Sequence, residues 1–401
     1  MLGIVKKINY ITCILSCIFI NYLLFIIYFN DFLIKLNFIF FILFCILFFF
    51  DNKDKHLLFL LIFFLLLISL GTVTTSWDAR SIHIFRAKQI FLENKVLFGN
   101  DSYSKYLVNV SYPNFASAFV AGFAKLIGHW NEIYPKSALT LMYIPPLIII
   151  SNYFQKNLLL IAYVFIIFVV GKNFVNGELD GLVAVYFSSA ALMLFNKIEN
   201  SINKFKLNLS DTNLFLIITL LSFLKHEAIF LSFLLIFISN IILITSKINL
   251  NKFYLLYFSI FPVLLYKLYW YLSQIDPIAF NLSYIYFLNK ILILDNYIYL
   301  FQNLILNEKF FLGVLIFTFS SYLYKKKEVL KFCILITILY LLLLSIVYFS
   351  SSLDFNWHIN ASATRVVKSI SLFLFVFGLL NINKFFQSNN IDKKNEQKIN
   401  N

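Results

Sequence analysis

Ionisable side chains are scarce in this chain, and those that could do chemistry collect in four short stretches. Trp77-Asp78-Ala79-Arg80 directly follows an apolar run, with His83 and Arg86 just beyond it. A carboxylate there sits at the edge of a membrane, where Asp78 could take a proton from an acceptor hydroxyl as general base. Asp78 would equally serve as N-cap of a helix over 79–93, since its carboxylate can accept from free backbone N–H groups. The two readings are compatible. Lys225-His226-Glu227 interrupts another apolar stretch. Three consecutive ionisable groups are costly at the bilayer centre and fit an outer turn between two spans. Lys225 could bind a phosphate through charge-assisted hydrogen bonds; a tight turn with an internal ion pair is the plainer reading. Asn176-Gly177-Glu178-Leu179-Asp180-Gly181 is a turn that opens a span. Its carboxylates could hold a sugar hydroxyl, a metal or an acceptor amine, or simply cap the helix. The fourth stretch carries Asp354, Trp357, His358 and Arg365. The planar fork of Arg365 suits a phosphate or carboxylate, although an arginine opening a span can also snorkel.

The elements that must position these residues are membrane helices. The chain has 401 residues, of which 61% are hydrophobic and 13% charged, with a mean hydropathy of +0.84. A soluble domain carries about twice that charged fraction and could not hide so much apolar surface. Uncharged runs place spans at 8–29, 36–50, 57–75, 137–150, 157–171, 181–195, 213–224, 228–245, 253–272, 310–324, 329–350 and 366–383, with 280–294 a re-entrant segment or a thirteenth span. The expected fold is therefore all-α and polytopic, with about 12 transmembrane helices. Helix is required because backbone groups in lipid must be satisfied within the segment, and the runs lack the alternation of barrel strands. The lysines of the short loops (Lys6, Lys7, Lys53, Lys55, Lys156, Lys197, Lys204, Lys206, Lys247, Lys252, Lys325, Lys326, Lys327 and Lys331 among them) orient both termini to the cytoplasm of an inner membrane. The net charge of +14 is then a topology signal, and nucleic acid is excluded as a partner.

With that orientation the three arginines, Arg80, Arg86 and Arg365, fall on the outer side, as do four of the five histidines, His83, His129, His226 and His358. The 76–136 segment is the one large outer loop. Its residues 79–93 read as an interfacial helix with His83, Arg86 and Glu93 on one side and Ile84, Ala87 and Phe91 on another. A second helix over 115–128 is rich in small residues and suited to close packing. Residues 1–56 contribute two spans, 57–383 the remaining module, and 384–401 a polar tail expected to lack regular structure. Cys13, Cys17, Cys45 and Cys333 sit in apolar runs and read as packing residues. A Gly-rich phosphate loop, HExxH, CxxC and GxSxG are all missing from the sequence, and the inner loops are short. A membrane-soluble activated donor therefore fits better than ATP.

The order of these stretches resembles the GT-C superfamily of membrane glycosyltransferases, the group of protein O-mannosyltransferases and bacterial lipid A aminoarabinose transferases. Trp77-Asp78 through Arg86, then Tyr112-Pro113 and the 115–128 helix, are similar to that group's early outer loop. Asn176 to Tyr186 resembles its second-loop region. Lys225-His226-Glu227 resembles a Lys-Asn-Glu segment with His226 in place of Asn, and Trp357 to Val366 its final outer loop. The likeness covers about residues 57–383 in topology; two additional spans precede it.

The resemblance implies an inverting transfer of a sugar from a polyprenyl-phosphate donor to a lipid, glycan or protein acceptor on the outer face. Asp78 would be the base, and Arg80, Arg86, Lys225 and Arg365 would bind the donor phosphate. His83, Glu178, Asp180, His226, Glu227 and His358 would contact sugar or acceptor. A monophosphate donor needs no metal; a divalent metal between Asp78 and Glu178 or Asp180 stays open. Three rivals make other demands, and one of them, a structural membrane protein without chemistry, would make the outer clustering accidental. An O-antigen polymerase or ligase carries its large outer loop late in the chain. A transporter or flippase places ionisable residues at the midplane and is built from two related halves.

Overall fold

The computed structural model describes residues 9–27, 29–74, 76–96, 112–203, 210–245, 254–272 and 282–399. Residues 97–111 of the expected outer loop, and Lys6, Lys7, Lys204, Lys206, Lys247 and Lys252 of the expected inner loops, lie outside them. Among the described residues the fold is helical, and the sole β-type pairing is an isolated bridge between Leu282 and Ser351.

The chain opens with α1 (Tyr10–Ile26), α2 (Asp31–Asp51) and α3 (His56–Gly71). A π-helical turn over Ala79–His83 leads into α4 (Ile84–Glu93), followed by α5 (Phe115–Ile127). Next come the short α6 (Ser137–Leu141) and α7 (Ile144–Ser151), then α8 (Lys156–Val170), α9 (Asp180–Asn203), α10 (Ser210–Ser222) and α11 (His226–Thr245). The second half holds α12 (Tyr254–Phe258), α13 (Phe261–Leu272), α14 (Tyr284–Ile291), α15 (Leu294–Leu304), α16 (Glu308–Leu323), α17 (Lys327–Ser350) and α18 (Phe355–Ile399).

Among the described residues, seven helical segments are long and apolar enough to cross a membrane, or eight if the bent pair α15–α16 forms one span. Four other expected spans are shorter apolar helices, α1, α3, α10 and the α6–α7 pair, and so is α5 of the expected outer loop. The bend between α15 and α16 is 68°. The surface agrees with a lipid setting. On α17, Leu330, Ile334, Ile338, Leu342 and Ile346 form an exposed stripe one turn apart, which water would penalise and lipid does not. These helices mark a multi-pass membrane protein.

The helices α9 and α18 are the buried centre of the bundle and pack against each other, with Phe187 on Phe373 and Phe195 on Phe377. They are joined by ion pairs at both ends. Arg365 Nε meets Asp180 Oδ2 at 2.8 Å, and Lys384 Nζ meets Glu199 Oε2 at 2.5 Å. In each helix the second charge lies 19 positions after the first, a rise of about 28 Å and close to a hydrocarbon core.

Three local expectations change. The stretch before Arg365 was expected to be an outer loop, but the chain is helical from Phe355 onward. Asp354 Oδ1 accepts the Trp357 N–H at 2.8 Å, an N-cap geometry; Arg365 therefore sits well inside the helix rather than opening it. Polar residues mark exposure to water here, not a break in the backbone. The polar tail continues this helix to Ile399. Finally, the 79–93 segment does not separate its polar from its apolar side as expected: His83 of the π turn and Arg86 of α4 are buried along with Ile84, Ala87 and Ile90.

Candidate ionic site at one end of the bundle

Four of the expected site residues, from four separate stretches, meet at the end of the bundle where α9 and α18 are joined. Asp180 is the first residue of α9 and is buried. Its two oxygens are divided between cations. Lys225 Nζ donates to Oδ1 at 2.6 Å and Arg365 Nε to Oδ2 at 2.8 Å. Arg365 also reaches across through Nη2 to Asp78 Oδ2. Lys225 Nζ stands 4.0 Å from that same Asp78 oxygen and 4.0 Å from Glu227 Oε1. Asp78 and Arg365 form the open side, with side chains 15% and 30% exposed, against 6% for Asp180 and 3% for Lys225.

Local sequence explains the convergence. Asp78 lies just before the π turn and makes no capping hydrogen bond, so its carboxylate serves the cluster and the N-cap reading falls. π turns of this kind recur at functional sites. Lys136, itself buried, bonds the carbonyl and hydroxyl of Thr72 and so fixes the end of α3 that leads to Asp78. Gly177 has φ +87°, and a Cβ there would lie 3.0 Å from the Ala79 Cβ. The absent side chain lets the loop before α9 pass against the π turn. Gly181 has no room for a side chain either, because Val170 and the Tyr143 hydroxyl fill that space.

Beside the ionic core lies an aromatic wall. The His226 ring stacks on Tyr112, centroids 4.4 Å apart, and its Nδ1 is 2.8 Å from Lys267 Nζ. The Tyr266 hydroxyl donates to the Tyr112 carbonyl at 2.8 Å. Lys225 Nζ is 6.0 Å from the centre of the Tyr112 ring, at the edge of cation–π range. His83 is buried edge-on to Tyr112 at 6.4 Å. Burial, and then the Lys225 and Arg86 cations, hold the His83 imidazole well below its ordinary range, so it is neutral. Burial works against the charge on Lys225 as well, but Asp180, Glu227 and Tyr112 outweigh it and hold the ammonium above its usual range.

The remaining expected residues divide. Arg80 is not part of the cluster: it is exposed and lines a separate cleft with Lys88, Glu93 and Glu132. It is two positions from Asp78, and residues so spaced on a helix do not share a face. Arg86 is buried, and its Nη1 donates to the Tyr112 carbonyl and to Asn114 Oδ1, both at 3.1 Å. It ties α4 to the start of α5 instead of facing an incoming phosphate. Burial lowers Arg86 to about 10, leaving it charged at neutral pH. Glu178 is half-buried, its backbone N–H bonded to Asn176 Oδ1 at 3.0 Å. His358 lies two turns before Arg365 on α18, edge-on to Tyr348 at 4.9 Å.

Sequence reasoning missed three residues. Lys368, one turn beyond Arg365, donates to Asn173 Oδ1 at 3.0 Å, and its spacing from Arg365 was a usable signal. Lys267 was a lone cation in an apolar stretch, which is itself a signal. Tyr112 had none beyond the turn marked by Pro113.

The carboxylates do not suit a divalent cation. The ammonium of Lys225 and the guanidinium of Arg365 already lie on Asp180 and Asp78. No group of three His, Cys, Asp or Glu side chains able to hold a metal occurs among the described residues. The arrangement offers a paired cation with a carboxylate at its open edge, which suits an anionic oxygen next to a group that gives up a proton. Comparison of the chain with family models, with curated proteins and with solved structures gives no match.

Proposed function

We propose that the protein is a membrane glycosyltransferase that moves a sugar from a polyprenyl-phosphate donor to a lipid, glycan or protein acceptor. The observation that carries this reading is the meeting of Asp78, Asp180, Lys225 and Arg365 at one end of the bundle. A donor anchored by its lipid needs its phosphate met at the level of the head groups. Lys225 and Arg365 supply charge-assisted donors there.

In the reaction the acceptor oxygen forms a bond to the anomeric carbon as its proton passes to the Asp78 carboxylate. The bond between that carbon and the phosphate oxygen breaks, and the electron pair leaves with the lipid phosphate. The charge growing on the phosphate is stabilised by Lys225 and Arg365, whose positions are set before the reaction begins. An acceptor amine follows the same course. His226, Glu227, Glu178 and the Tyr112 ring line the approaches to sugar and acceptor; aromatic faces and a few polar groups are the usual furniture of such pockets.

This reading places about twelve crossings in an inner membrane, the shorter apolar helices α1, α3, α10 and α6–α7 completing the count. Both termini are cytoplasmic, and the 76–136 segment and the ionic site face outward. A transporter would place its charges at the midplane, whereas this cluster sits at the start of α9, with Glu199 and its two lysines toward the other end.

The test is lipid binding to protein in nanodiscs, read by native mass spectrometry with undecaprenyl phosphate and undecaprenol as probes. Wild type is expected to hold the phosphate lipid at least about tenfold better than the neutral one, and Arg365→Ala to lose that preference, since one charged hydrogen bond contributes about 1.5–3 kcal/mol. Equal retention of both lipids by wild type would end the reading.

A further inference from the structure

The two aspartates of the site are not equivalent, and their difference describes how the site is set before donor arrives. Asp180 gives each of its oxygens to a different cation, at 2.6 Å and 2.8 Å. It is buried and fixed as the first residue of α9, where the positive end of the helix also favours it. Asp78 holds only Arg365 closely; Lys225 is 4.0 Å away. It is the more exposed of the two, beside the exposed Trp77 and at the edge of the π turn. Arg365 meanwhile uses Nε for Asp180 and Nη2 for Asp78.

Asp78 and Asp180 therefore already balance Lys225 and Arg365, and Glu227, with Oε1 4.0 Å from Lys225 Nζ, adds a third carboxylate at the edge. A phosphate approaching Lys225 and Arg365 adds negative charge to a largely buried set, where like charges repel strongly. One carboxylate must give up its cation, and the geometry selects the one with a single close partner and an open side.

We propose that Asp180 is the positioning residue that fixes Lys225 and Arg365, and that Asp78 is a displaceable occupant of Arg365 which the donor phosphate replaces. This rests on the function proposed above and adds an order to it. The phosphate takes the guanidinium, and Asp78, released from its ion pair, becomes the free carboxylate that accepts the proton. In the empty site the base is held inactive by the cation that will bind the donor. Donor binding and base activation are then one event.

The two isosteric substitutions must act in opposite directions. Asp78→Asn removes the competing charge, and undecaprenyl phosphate is expected to bind about tenfold more tightly than to wild type. Asp180→Asn releases the cations from their anchor, and binding is expected to weaken about tenfold. A loss of packing would weaken both alike, so the opposed signs separate the proposal from a structural role. Undecaprenol is the control in both cases. Tighter binding to Asp78→Asn with weaker binding to Asp180→Asn supports the proposal. Unchanged or weaker binding to Asp78→Asn overturns it while leaving the phosphate site intact. Should Asp180→Asn not fold, the Asp78→Asn result decides alone. If wild type and Asp78→Asn alike prefer undecaprenyl phosphate no more than undecaprenol, the function proposed above fails, and this inference with it.

Discussion

A buried histidine next to two cations records the electrostatic state of the site in its stability. His83 is enclosed beside Tyr112 and feels the Lys225 and Arg86 charges. The unfolded chain protonates it near the ordinary value of about 6.5, whereas the folded protein keeps it neutral to lower pH. Between those two values the unfolded state binds more protons, so stability falls as pH drops. Its contribution is fully present above about pH 6.5 and is lost progressively below. Thermal midpoints in detergent measured from pH 7.5 to 5 are therefore expected to decline for wild type, and to decline less for His83→Gln. Parallel curves for the two proteins would show that His83 is not held neutral by its surroundings. The same scale explains why Asp78 was readable and Arg80 was not. Both residue types fit the chemistry, but only a backbone trace shows that residues two positions apart turn different ways.

At the scale of elements, the site depends on loops held against helices. Gly177 is the clearest case, since its φ is +87° and its missing Cβ would press on Ala79 beside Asp78. Gly177→Ala is expected to destabilise the fold by about 1–2 kcal/mol through backbone strain, and to weaken phosphate-lipid binding by moving Asp180 away from Asp78. Gly128, at φ +93° with no atom within 4 Å, is the control. Gly128→Ala should show strain of similar size in thermal unfolding with lipid binding unchanged. If both variants bind lipid like wild type, the loop contact does not position the site. Lysines reinforce other junctions. Lys55 donates to the Ser151 carbonyl at 3.1 Å, Lys309 to that of Val169 at 3.0 Å, and Lys290 to those of Ser351 and Leu353 at 2.6 and 2.7 Å. The carbonyls of Ser151, Val169 and Ser351 lie at the C-terminal ends of α7, α8 and α17, where the backbone has no partner of its own and the helix dipole favours a cation. Lys55, which reads from the sequence as a topology marker, thus also serves as a cross-helix cap.

For the whole molecule, the paired charges at both ends of α9 and α18 define two sides. Glu199 binds Lys326 as well as Lys384, which gives the second end a triad of its own. The proposed orientation puts Trp357, 60% exposed near the start of α18, outside. It puts the exposed Phe386, near the other end, inside. In a background lacking the native cysteines, Trp357→Cys is expected to react with a membrane-impermeant maleimide in intact spheroplasts. Phe386→Cys should react only after permeabilisation. The reverse pattern would invert the topology and place the ionic site in the cytoplasm.

The sequence by itself determined the class of this protein and the residues worth watching. Long uncharged runs can be stable only in lipid, and a polar group placed among them is costly enough to mark a turn or a site. Asp78, Asp180, Lys225 and Arg365 were all visible on that ground, one stretch at a time. The tertiary structure alone decided that they touch, because residues 78, 180, 225 and 365 are brought together by packing between helices, which no local pattern encodes. It also decided that Arg86 is a tie between helices, that Arg80 faces elsewhere, and that the last expected loop is helix. Polarity reports contact with water or with other charges, whereas backbone conformation follows from hydrogen bonds that a polar helix makes as well as an apolar one.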